Sequence, residues 1–149
     1  MKVTNVNDLR RINVFENYSY YEVCRSDKYA GATMDNYKWL VSDMYRMAGM
    51  RTTLMGFYCV MCYGFEVPPK YLITSGIRCP KVNVEAGGVD NSNHLKGQAI
   101  DIWCEDMQGL WRQLTEGIYS DFNEVIWYRS KGIIHMGWDN KDQRFIIKK

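Results

Sequence analysis

Histidine is nearly absent from this chain. There are two in 149 residues, His94 and His135, so any chemistry that needs imidazole passes through those two positions. Charge of one sign is also lacking: 19 Lys and Arg against 17 Asp and Glu leave a net charge of +2. The basic residues are scattered apart from the Lys148–Lys149 end, which leaves no electrostatic footprint for nucleic acid. No apolar run is long enough to span a bilayer. The most apolar window, Leu54 to Phe65, is broken by glycines and falls short of the roughly 18 residues that a spanning helix needs, so no membrane insertion is expected. The first stretch, MKVTNVNDLRRIN, has no apolar h-region, so no secretory signal is visible and synthesis in a cytoplasm is expected. Repeats, low-complexity tracts and linkers are missing, and the length suits one domain over residues 1–149.

Cysteine gives a weaker signal. Five residues, Cys24, Cys59, Cys62, Cys79 and Cys104, are an odd number, which argues against a disulfide framework. Cys59 and Cys62 form a CxxC, but no second CxxC completes a four-cysteine zinc site. The pair lies mid-way through an apolar helical pattern, so it reads as two buried thiols.

Residues 1–32 are rich in tyrosine and asparagine and weakly periodic. Val14, Phe15, Tyr18, Tyr20 and Tyr21 are expected to pack as irregular structure or a short strand. Thr33 offers a helix N-cap, with Asp35 in the first turn. Tyr37, Leu40, Val41, Met44 and Met47 follow at helical spacing, and Gly49 supplies a stop. A second helix is expected from Thr52 or Thr53, with Leu54, Phe57, Tyr58, Met61 and Phe65 as its stripe. Pro68 and Pro69 end it. Tyr71 to Ser75 reads as a strand, residues 79–98 as a long loop, and AIDIWC (99–104) as a strand. A helix over Asp106–Glu116 precedes a hairpin, EVIWYR (124–129) and IIHMGW (133–138), and an edge strand from Arg144 to Lys149. Helices first and then mainly antiparallel strands make an α+β domain.

The stretch SGIRCPKVNVEAGGVDNSNHLKGQAID (75–101) carries His94 and, seven positions later, Asp101; His135 lies in the later run GIIHMGW. A catalytic zinc site takes three protein ligands and keeps one position open, and imidazole and carboxylate both suit it. On spacing alone, two core or surface histidines and an aspartate capping a strand explain these residues equally well.

The blocks SGIRCPKVN, AGGVDNSNHLKGQAIDI and IIHMG, in that order, resemble the zinc D-alanyl-D-alanine carboxypeptidase family. That family includes phage endolysins and shares the hedgehog/DD-peptidase fold. Its members look like SGYRxPxxN, a Gly-Gly loop, SxHxxGxAxDI, and a strand ending in WxHxS. The resemblance covers about Tyr71 to Trp138. It implies Zn2+ held by His94, Asp101 and His135, Arg78 facing a substrate carboxylate, and Ser92 near the bound peptide. A guanidinium fork suits a carboxylate better than a lysine does.

The chain departs from the family at the general base, a glutamate or histidine shortly before the last zinc histidine. Ile133 and Ile134 stand just before His135, and the strand position where many relatives carry glutamate reads Tyr128 or Arg129. Glu124 shares a strand face with Tyr128 but lies about 13 Å along it at roughly 3.3 Å per residue, too far unless a bulge shifts the register. Glu124 and Tyr128 are nevertheless the candidate catalytic residues, Tyr128 for an oxyanion rather than as a base. Gly137 replaces the serine after the last histidine.

The resemblance implies a zinc peptidase acting on peptidoglycan stem peptides, as a carboxypeptidase or endopeptidase, for host lysis or wall remodelling. Without a signal it needs a holin-like release partner, or cell breakage, to reach the wall. Two other classes stand beside it. One is an inactive zinc-holding module that binds wall peptide or a protein partner, and the other is a metal-free structural protein.

Overall fold

The computed structural model describes residues 2–149. The chain opens with a short helix α1 (Val6–Leu9), a small hairpin β1 (Asn13–Phe15) and β2 (Tyr18–Ser19), and helix α2 (Tyr20–Cys24). Of the two expectations for this region, irregular structure or a short strand, the strand holds for β1 and β2, and the two short helices are additional. Two reciprocal caps, Asn5 with Asp8 and Ser19 with Glu22, satisfy the orphan N–H groups of α1 and α2. Val14 and Tyr18 are buried in the core, while Phe15 and Tyr20 pack against it.

Helix α3 (Ala32–Val41) starts one residue before the expected cap. Gly31, in the left-handed region at φ 87°, takes the N-cap position. Thr33 instead spends its hydroxyl on the Ser26 backbone. Helix α4 (Met44–Gly64) corrects a larger expectation: it runs unbroken through Gly49, capped by Asp43. Gly49 is not a stop but a close approach, because a Cβ there would lie 2.8 Å from the Lys96 carbonyl oxygen. Gly49, Met50, Thr53, Leu54, Phe57, Val60 and Met61 line its buried face. Its other side is open, so the CxxC is not a pair of buried thiols: Cys59 is half-buried and Cys62 exposed.

Strand β3 (Tyr71–Ser75) leads into the segment read as one long loop. That segment holds helix α5 (Pro80–Glu85), with proline at its first position, where no N–H is needed, and Val82 and Asn83 buried. A 3-10 turn, Asn93–Lys96, follows. Then come β4 (Ala99–Cys104), α6 (Met107–Glu116), β5 (Glu124–Tyr128), β6 (Ile133–Gly137) and β7 (Arg144–Lys148).

The large sheet has the order β3-β4-β6-β5-β7. All its pairs are antiparallel except β5 with β7, which is parallel. With the helices this is an α+β fold, as the pattern implied. Alternate residues divide the sheet between two jobs. Ile100, Ile102, Val125, Ile134 and Met136 point into the helical core with no exposed surface, beside Leu54, Phe57, Leu110 and Leu114. Each such side chain contributes about 1.5–3 kcal/mol by leaving water. A slip of one residue would exchange the two faces, so this burial fixes the register. In that register Asp101 sits directly opposite His135, and His135 opposite Ile126.

Candidate metal centre

His94 is delivered by the 3-10 turn. Ser92 caps that turn by accepting from the His94 N–H at 3.2 Å. Gly97 ends it in the left-handed region at φ 73°, packed so tightly on α4 that a Cβ would lie 2.5 Å from the Arg46 carbonyl oxygen. The Trp39 indole donates to the Leu95 carbonyl at 2.9 Å, and the Thr53 hydroxyl to that of Gly97 at 2.8 Å. A single short turn is thus bolted to the central helix.

His94 Nδ1 lies 2.7 Å from the Gly76 carbonyl oxygen. A carbonyl only accepts, so this nitrogen carries the proton and Nε2 keeps a bare lone pair. Nε2 lies 3.2 Å from Asp101 Oδ1 and 3.2 Å from His135 Nδ1, and the last two are 2.9 Å apart. All three side chains are buried. A tetrahedral metal with bonds of about 2.0–2.1 Å separates its ligand atoms by about 3.3 Å, close to the edges of this triangle. Two imidazole nitrogens and one carboxylate oxygen are also a donor set that zinc accepts, so the residues fit the metal.

The charges follow the geometry. Burial lowers the pKa of His94, against the pull of Asp101. Burial alone would raise that of Asp101, but the two histidines beside its Oδ1, with His135 as the hydrogen-bond donor, hold it well below the usual range. Burial opposes protonation of His135 as well, yet its hydrogen bonds to Asp101 and Glu124 win and raise its pKa to about 9.

Around the triangle the structure places the other expected residues with differing clarity. Arg78 donates from Nη2 to Asp101 Oδ2 at 3.2 Å and from Nε to the Ser75 hydroxyl at 3.1 Å. It therefore already holds the second oxygen of Asp101, with donors left over. Ser92 and Tyr128 line the same cleft, about 870 Å³ in volume. Burial first, then the negative charges of Asp101 and Glu124, raise the pKa of the Tyr128 phenol.

Glu124 overturns the distance expected for it. Its Oε1 is 2.5 Å from His135 Nε2, and no bulge interrupts the β5–β6 pairing. The roughly 13 Å expected along an ideal strand runs from Tyr128, whereas His135 stands opposite Ile126, mid-way between the two. Glu124 also touches the nitrogen of His135 that faces away from the triangle. Three residues not singled out in the sequence join it: Asn93, Asp139 and Arg144. Arg144 reads in the sequence only as the start of an edge strand. The parallel β5–β7 register puts Arg144 beside Glu124, and side-chain hydrogen bonds bring in Asp139 and Asn93.

A buried triangle of two histidines and one carboxylate, open to a polar cleft, defines a candidate mononuclear metal centre of the hydrolase type. Residues 61–137, more than half of the chain, match the family model described as Peptidase M15. The chain belongs to the peptidase M15 family, whose members are zinc-dependent metallopeptidases. No curated protein matches it. Among the described residues no helix is long and apolar enough to cross a membrane.

Proposed function

We propose that this chain is a zinc peptidase that cleaves peptide bonds in the stem or cross-link peptides of bacterial peptidoglycan, as a carboxypeptidase or endopeptidase. The observation that carries the reading is the convergence of His94 Nε2, Asp101 Oδ1 and His135 Nδ1 within one metal-sized triangle beside a cleft of about 870 Å³. Zinc, when held there, supplies a Lewis acid for the scissile carbonyl and acidity for a water. Arg78, pinned on one side by Asp101, offers its remaining N–H groups to a peptide carboxylate. Arg25, Lys28, Lys131, Lys141 and Lys148 line the same cleft, which suits a substrate rich in carboxylates. Tyr128 keeps its proton at neutral pH and so serves as a hydrogen-bond donor to a developing oxyanion. Ser92, fixed as a cap, presents a polar edge to the peptide.

One observation favours a second reading. Glu124 is engaged on the outer nitrogen of His135, so it does not stand free as a proton acceptor in the bay. A zinc-holding module that binds wall peptide without cutting it is the reading this supports. Host lysis with a holin-like release partner, or wall remodelling, are the roles proposed for the enzyme. The deciding experiment is incubation of zinc-loaded protein with defined muropeptides, read by mass spectrometry. Cleavage is expected. Tight binding without any product between pH 5 and 9 would establish the module instead.

A further inference from the structure

We infer that Glu124 is a positioning residue, which aims His135 at the metal, and that Arg144 and Asp139 in turn hold Glu124. This rests on the metal reading above. It extends the centre into residues beyond the segment that matches the family.

The two nitrogens of the His135 imidazole point away from one another, so a group bonded to Nε2 cannot also face a metal at Nδ1. Glu124 Oε1 takes Nε2 at 2.5 Å, which fixes the rotation of the ring and leaves Nδ1 directed at Asp101 and His94. A carboxylate behind a ligating histidine also makes the ring a stronger donor to the metal. Glu124 is held firmly in turn. Its Oε2 accepts from Arg144 Nη2 at 3.1 Å, and that guanidinium forks onto both oxygens of Asp139, at 2.7 and 3.3 Å. A planar fork on a carboxylate fixes direction as well as distance. Asp139 is pinned from three more sides. Its N–H donates to Asn123 Oδ1 at 2.9 Å, its Oδ1 accepts from Asn123 Nδ2 at 3.1 Å, and its Oδ2 accepts from Asn93 Nδ2 at 2.8 Å. Asn93 also reaches Glu124 Oε1 at 3.3 Å and precedes His94 in the chain. The network leaves one ligand, His135, and returns to Asn93, the neighbour of a second ligand, His94. Its charged members are mostly shielded: side-chain exposure is 19% for Glu124, 28% for Arg144 and 7% for Asp139.

The test measures zinc affinity of the full chain by competition with a chromophoric chelator. Ring 15N signals of the zinc-loaded protein are recorded beside it, which two histidines keep simple to assign. Glu124→Ala should weaken zinc by about 10–100-fold and shift the His135 ring signals while sparing those of His94. Glu124→Gln retains an acceptor oxygen for Nε2–H and should recover most of the affinity. Arg144→Met should fall between them. Should Glu124→Ala not fold, Glu124→Gln against Arg144→Met reads the same ranking. Wild-type zinc affinity and unmoved His135 signals in these variants would overturn the inference, the more so if cleavage were lost, since Glu124 would then be a proton acceptor. Wild-type protein that takes up no zinc would overturn the metalloenzyme reading and this inference with it.

Discussion

The two faces of the large sheet are built from the same strands and differ in almost everything else. On the helix side, Ile100, Ile102, Val125, Ile134 and Met136 are sealed and apolar. On the cleft side, alternating with them, stand Asp101, Glu124 and His135, each satisfied by a specific partner. Burial of the first set fixes the strand register, and the register in turn sets Asp101 against His135. Stability and chemistry are therefore coupled through register but carried by different atoms, and substitutions on one face should leave the other measurable.

The largest break in that comparison is removal of a ligand. His94→Ala and His135→Ala should each abolish zinc uptake by elemental analysis while the circular dichroism spectrum stays native-like; retained zinc in both would show that the cluster is not the site. Next comes the helix side. Ile134→Ala should cost about 2–5 kcal/mol in urea unfolding, yet the folded fraction should bind zinc as the wild type does. Arg78→Ala acts at the border of the cleft. Loss of its hydrogen bond to a peptide carboxylate should lower kcat/KM by about 100-fold. A parallel fall in zinc affinity would show instead that its main work is on Asp101.

The smallest effect concerns acid. Burial would raise the Asp139 pKa, but hydrogen bonds from Asn93 and Arg144 outweigh it and hold the carboxyl below its ordinary value. A lowered folded-state pKa contributes stability that is present above the unfolded value of about 3.9 and is lost as pH falls through the folded one. Asp139→Asn should therefore be less stable than wild type at pH 6 and show a shallower decline below pH 4. Parallel acid limbs for the two proteins would count against the Arg144–Asp139 pair.

Much of the strand plan was legible because period-two alternation and turn residues are local signals: Tyr71–Ser75 and Ala99–Cys104 have the bounds that the sequence implies. The rest failed where the deciding contact lies far off in the chain. Gly49 reads as a helix stop until the turn at Lys96 is seen pressing on it. Glu124 reads as distant because a single strand carries no record of where its partner's histidine falls. Asp139 and Arg144 carry no signal of a role at the centre, since Arg144 is placed by β7 lying parallel to β5 and Asp139 is reached through it.

The backbone contact between α4 and the 3-10 turn has a dynamic consequence. Gly49 and Gly97 bring two main chains together with no side chain between them, and the Trp39 and Thr53 hydrogen bonds close the joint. The turn therefore cannot fluctuate as loops ordinarily do. Its amides should exchange with deuterated solvent at the pace of the helix interior, because they open only when the helix itself lets go.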